Sequence, residues 1–319
     1  MTITTLDGIV TALGNNTSRV VIDKASISNA VANTQYSLWR ATGQPGQGAI
    51  PTTAALCTKV LTGAIQFTNQ TPPATSYFAW AAMQCSNAAV AHDLQDRIAH
   101  MGGLVFNVTT PQSVGLDLDT AGLNPDAARL GDANFSDVMW WLEVYTDGGA
   151  TASNATINVT FNDGTSKDLS VVAVGGTLRA GRTINLNGLI QAADAGKYIR
   201  DINTVTLSAS TGTAGNFGFT ATRSRATLPL FVANKPEVYD WAALGFSEIV
   251  ADVSWFENFM ARIEAVSVGD VQRVARTYFK PSLRNVGWYL PTGAGMTDGE
   301  EDEEGELEPV AEGAEGVGE

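Results

Sequence analysis

Charge is scarce in this chain. Asp, Glu, Lys and Arg together make up only 16% of its 319 residues, well under the roughly 25% of an ordinary soluble domain. Much of the surface must therefore be Thr, Asn, Ser, Gly and Ala. Cysteine is nearly missing: Cys57 and Cys85 can form no disulfide framework and match no zinc-knuckle spacing, so both are expected as buried thiols. Histidine is limited to His92 and His100, which leaves few residues for a Ser-His-Asp or Cys-His arrangement. The G-x-S-x-G elbow, the phosphate-cradling G-x-x-x-x-G-K-[ST] loop and a G-x-G-x-x-G turn between strand and helix are all absent. No apolar run approaches the roughly 18 residues that span a bilayer. The opening MTITTLDGIV lacks the basic-then-apolar pattern of a signal peptide, so the expectation is a product made and kept in a cytoplasm, with no membrane partner.

Basic residues are also in deficit. The formal charge is −14, but residues 298–319 hold 11 acids and no bases, which leaves 22 acids against 19 bases elsewhere. The acidity belongs to a tail. A near-neutral body without a basic stripe argues against nucleic acid as a partner, because neutralising phosphates requires clustered Lys and Arg.

The 44% hydrophobic content is ample for real cores. Residues 1–110 read as a mixed, partly helical N-terminal region. Helical spacing runs through Asp23–Trp39, Thr52–Leu61 and, most clearly, Asn87–Met101, with loops at Gly43–Gly46 and Thr71–Pro73. Residues 111–230 read as a β-sandwich-like domain, with the strongest β signal over residues 135–224. Val138–Tyr145 suits a half-buried pleat, and Ile157, Val159 and Phe161 alternate onto one face. Asn162-Asp163-Gly164 reads as a tight hairpin turn with Lys167–Ala173 as the return strand. Further strands are expected at Thr177–Asn185, Thr204–Ala209 and Phe217–Thr222. Several short strands at this spacing predict an antiparallel β-sandwich or jelly-roll-like domain within an α+β chain. Residues 235–292 predict a small helix-helix-strand appendage: Glu237–Val266, then a capping box at Ser267–Asp270 opening a helix to Phe279, then a strand at Asn285–Leu290. Residues 293–319 read as a disordered acidic tail.

Candidate chemistry is sparse. His92, Asp96 and His100 fall at i, i+4 and i+8 of the expected helix, but two histidines eight residues apart on a helix stand about 12 Å apart, too far for one ion. No metal and no cofactor are expected. Asp117 and Asp119 form the nearest carboxylate pair, weak grounds for glycoside chemistry. Trp140 and Trp141 are adjacent on a strand and point to opposite sides, so at most one can face a sugar. The candidate site residues are accordingly contact residues: Trp140, Trp141, Arg179 and Arg182 in the β region, Trp255 and Phe256 in the helical end. No catalytic residue is assigned.

Two resemblances add to this reading. Residues 20–225 resemble virion structural proteins of tailed bacteriophages, on the strings Met139–Asp147, Asn185–Ile190, Ile202–Ala209 and Thr211–Gly218. That resemblance implies a non-enzymatic, homo-oligomeric component of a phage-like particle, a capsid-associated, decoration or tail protein whose partners are its own copies and other virion proteins. Residues 237–291 look like the C-terminal end of pitrilysin/insulinase-type zinc peptidases, on Arg262–Val266, Asp270–Phe279 and Pro281–Pro291. The H-x-x-E-H motif of that family is missing, so the resemblance carries over scaffold without peptidase chemistry. The alternatives are a carbohydrate-binding or adhesin module and a catalytically inactive partner of a zinc peptidase.

Overall fold

A computed structural model describes residues 20–27, 30–65, 80–176, 178–240 and 267–278, together with 5, 7 and 8. The chain divides into two compact units, Met1–Asp252 and Val253–Glu319.

The first unit is mostly antiparallel β-sheet. Its N-terminal part contributes β1 (Asp23–Lys24), β2 (Gly43–Gln44), β3 (Ala55–Leu56) and β4 (Trp80–Met83). The long β5 (Val90–Leu104) follows, then β6 (Gln112–Asp117), the short helix α1 (Ala127–Leu130), β7 (Met139–Thr146) and β8 (Asn154–Phe161). After β9 (Ser166–Asp168), β10 (Val172–Ala173) and β11 (Thr183–Asn185) come β12 (Ile199–Leu207), the long β13 (Asn216–Leu230) and β14 (Glu237–Asp240). Two five-stranded sheets result: β11-β7-β13-β5-β3, and β10-β8-β12-β6 with β9 also paired to β8. We call them the β7 sheet and the β8 sheet.

Alternation explains how they meet. Trp140, Leu142 and Val144 of β7, Phe217, Phe219 and Ala221 of β13, Ile157, Val159 and Phe161 of β8, and Ile199, Ile202 and Val205 of β12 all enter one buried cluster. Each of the Val, Leu, Ile and Phe side chains among them contributes about 1.5–3 kcal/mol through removal from water. This is the sandwich expected from the period-2 pattern. Between β5 and β8 successive strands switch sheets, and β11, β12 and β13 do so again. Close approach matters where β5 meets β13: a Cβ on Gly218 would stand 1.9 Å from the Met101 carbonyl oxygen.

The expected helices of the N-terminal region do not form. Within Asp23–Trp39 the described residues hold only β1 and a bridge from Tyr36 to Arg182, and Thr52–Leu61 contains β3. Asn87–Met101 becomes most of β5, paired with β13 from Leu104↔Phe217 to Val90↔Leu230 with three shifts of register on the way. Its apolar spacing of four misled because four is also an even number, compatible with one face of a strand. Non-local pairing then decided the outcome. Glu237–Asp240, the start of another expected helix, is β14 and pairs with β4; residues 241–266 lie outside the described residues.

The β-region details moved less. The hairpin after Phe161 forms with a three-residue loop, in which Gly164 sits at φ 81° and Phe161 N–H donates to the Thr165 carbonyl at 2.9 Å. Lys167–Ala173 splits into the end of β9 and β10, and the described residues of Thr177–Asn185 hold only β11. In the second unit, helix α2 (Val268–Tyr278) starts as expected: Ser267 Oγ accepts from Asp270 N–H at 3.2 Å, and Asp270 Oδ2 accepts from Ser267 N–H at 3.1 Å. The expected strand at 285–290 and the acidic tail lie outside the described residues.

Candidate functional site

Both faces of β7 are buried, which a half-buried pleat does not require. Trp140 enters the core and its Nε1–H donates to the Ile199 carbonyl across the sandwich at 2.8 Å. On the opposite face stand Trp141, Glu143 and Tyr145, all buried; Trp141 Nε1–H donates to Thr222 Oγ1 at 2.8 Å. A strap formed by residues 35–57 provides cover. It begins on the β11 edge, where Ser37 N–H donates to the Gly181 carbonyl and Thr183 N–H donates to the Gln35 carbonyl. It finishes on the β5 edge, where β3 pairs with Ala99 and His100 and Cys57 N–H donates to the Ile98 carbonyl.

Beneath the strap lies a closed polar cluster. Arg97 Nη2 stands 2.7 Å from Glu143 Oε2 and donates to the Tyr145 hydroxyl at 3.0 Å. Thr220 Oγ1 donates to the same carboxylate oxygen at 2.6 Å. Arg97 Nε–H donates to His100 Nδ1 at 3.0 Å, and the guanidinium packs 4.6 Å from the centre of the Trp39 ring. Glu143 is 1% exposed, and its Oε1 has no hydrogen-bond partner. Burial alone would raise the Glu143 carboxyl, but Arg97 and the Arg97 and Thr220 hydrogen bonds outweigh it and hold the group below the usual range. Burial, then the neighbouring Arg97 charge, pushes His100 down to about 4. Burial pushes the Cys57 thiol up to about 11 and raises the Tyr145 phenol. These shifts favour a protonated Cys57 thiol and a neutral His100 imidazole at neutral pH. The cluster's bonds join β5, β7 and β13 of one sheet, and the strap meets it through the Trp39 ring.

The six contact candidates scatter. Trp140 and Trp141 turn inward within the chain itself. Arg179 lies at the surface and pairs with Asp147 at 2.9 Å. Arg182 is bound up with the strap through its bridge to Tyr36, whose ring centre lies 5.9 Å from the guanidinium. Trp255 and Phe256 lie outside the described residues. Cys57 is buried as expected, whereas Cys85 is only half-buried.

The His92, Asp96 and His100 ladder dissolves with the helix that carried it. On strand β5 these residues are about 13 Å apart in succession. Asp96 is instead gripped by Arg129 through two bonds, at 2.7 and 3.1 Å, and by Arg225 at 3.3 Å. Burial opposes ionisation there, but the two arginines prevail and hold its carboxyl below the usual range. No group of three or more His, Cys, Asp or Glu residues suited to a metal ion occurs among the described residues, and no helix among them is long and apolar enough to cross a membrane.

Sequence reasoning missed the cluster. One signal was available: Glu143 is a lone charge inside the otherwise apolar run Met139–Tyr145, which makes sense only if a partner cation is brought to it.

The outer face of the β8 sheet differs. Asn158, Thr160, Asp168 and Asn203 interlock there: Asn158 Nδ2–H donates to Asp168 Oδ1 at 2.6 Å, and Asn203 Nδ2–H donates to Asn158 Oδ1 at 2.8 Å. Asp117 and Asp119 both meet Arg200, at 3.3 and 3.4 Å. Beyond β7, whose last partner on β13 is Thr222, residues 90–95 and 224–230 continue as a two-stranded ribbon among the described strands. Near its end Phe231, Val232 and Val238 are exposed.

Comparison of the chain with known protein families, with curated proteins and with solved structures gave no match.

Proposed function

We propose that the sandwich is a jelly roll and that the chain is a non-enzymatic structural component of a phage-like virion, acting by assembly with its own copies and with other virion proteins. The observation that carries this reading is strand order. Taking β5, β6, β7, β8, β10, β11, β12 and β13 as eight successive strands, the first, eighth, third and sixth make one sheet, and the second, seventh, fourth and fifth make the other. That arrangement of two Greek keys recurs in viral capsid domains, and also in lectins and cupins. A fold does not by itself assign a function, so the choice among these rests on the rest of the chain.

Its charge-poor, Thr/Asn/Gly-rich composition and its resemblance to virion proteins favour repeated subunit packing, where many identical contacts supply affinity. A glycan-binding role has less support, because Trp140 and Trp141 are buried. A cupin-like catalytic role lacks its metal ligands among the described residues. Negative-stain microscopy of the purified full-length chain tests the proposal. Regular rings, tubes or shells are the expected result. Fields of single separate subunits at all concentrations would contradict it.

A further inference from the structure

Three acids and one base crowd the edge of the β8 sheet, and one of the acids is poorly served. Asp201 of β12 lies directly opposite Asp117 of the edge strand β6 in the antiparallel register. Both project to the outer face, since their neighbours Ile202, Leu116 and Leu118 fill the core. On its other side Asp201 lies opposite Thr160 of β8, an uncharged residue occupied with Ser166 and Asn203. Asp201 is 9% exposed, and its Oδ1 is buried without a hydrogen-bond partner. Like charges directly opposite each other on neighbouring strands destabilise the pair. β6 has no strand on its other side among the described strands, so nothing else in the sheet holds it.

The remaining charges nearby are already engaged. Arg200 reaches Asp117 and Asp119, and Asp117 also accepts from Asp119 N–H and the Thr120 hydroxyl. Asp168 is bonded to Asn158, and Lys197 pairs with Asp163 and Asp194.

We propose that Asp117 and Asp201 form a proton-dependent latch on strand β6: a proton held between the carboxyls closes the β6–β12 seam, and its loss makes β6 the part of the β8 sheet that opens first. Burial, reinforced by Asp117 and opposed by Arg200, pushes the Asp201 carboxyl up to about 6. A carboxyl with a raised folded pKa keeps its proton where the unfolded chain has lost it. The latch is therefore fully closed below about pH 4 and weakens as pH rises through about 6.

Hydrogen exchange of the full-length chain, corrected for intrinsic rates, tests this. Protection of the amides of residues 112–117 is expected to fall about tenfold between pH 5.0 and 7.5, roughly one pKa unit's worth of the shift. Asp201→Asn should abolish that fall and leave the amides of β5 and β7 as they were. Asp117→Asn, which keeps an oxygen for the Asp119 amide and removes the facing charge while leaving Asp201 buried, should make that fall smaller without abolishing it, so the test survives if one variant fails to fold. Wild-type protection of β6 that is independent of pH, a fall that persists in folded Asp201→Asn, or one that is undiminished in folded Asp117→Asn, would overturn the proposal.

Discussion

The two sheets share one core yet solve the problem of their outer faces in opposite ways. The β7 sheet is covered by a strap and carries there a desolvated ion pair, Arg97 with Glu143. The β8 sheet presents an interlocked layer of Asn, Thr and Asp side chains, with an acid pair at its edge. A buried charge is tolerated only when its partner and hydrogen bonds accompany it. A polar face with no strap over it leaves Asn158 and Asn203 partly exposed, and their side-chain bonds are worth correspondingly less. The strap side should therefore respond to mutation and acid far more sharply than the open side.

Arg97→Ala should produce the largest change. It strands Glu143 without its cation, and a loss of about 3–5 kcal/mol is expected in urea unfolding. The double variant Arg97→Met with Glu143→Leu should recover most of that loss; no recovery would mean that the stranded Glu143 charge is not its cause. Acid addresses the same contrast with opposite signs. Glu143 and Asp96 have lowered folded pKa values, so the stability they add is present above their unfolded values near 4 and disappears as pH falls below that. Asp201, raised to about 6, costs stability as pH rises from about 4 through 6. Unfolding midpoints from pH 3 to 8 should show a maximum between these limits in the wild type, and Asp201→Asn should flatten only the neutral side.

Trp39→Ala should cost about 1–2 kcal/mol through lost packing on the Arg97 guanidinium. Faster hydrogen exchange confined to the strap and its neighbours should accompany it. On the open face, Asn203→Ala should cost only about 0.5–1.5 kcal/mol. An equal or larger loss there than at Trp39 would erase the distinction between the faces. Deleting residues 298–319 should change neither stability nor assembly, since this acidic segment is read as a solubilising tail; loss of assembly on light scattering would refute that assignment.

The sandwich was legible because β8 advertises itself: Ile157, Val159 and Phe161 alternate cleanly, and Asp163-Gly164 marks the turn. The capping box before α2 was legible for a similar reason, being a local arrangement of Ser267 and Asp270. β5 was not, because its apolar residues fit either period and its strand character comes from β13, more than a hundred residues away. The strap was hidden too. Residues 35–57 have little pattern of their own and acquire order only by lying across a sheet made later in the chain. Trp140 and Trp141 were placed correctly on opposite sides of a strand, but with the strap unforeseen the second of them could not be recognised as buried.

We propose that this chain works by assembling with its own copies. Multi-angle light scattering of the purified full-length protein over a concentration series tests it most directly. A discrete mass at a multiple of the 33.6 kDa chain is the predicted result, and a monomer mass throughout the series would contradict the account.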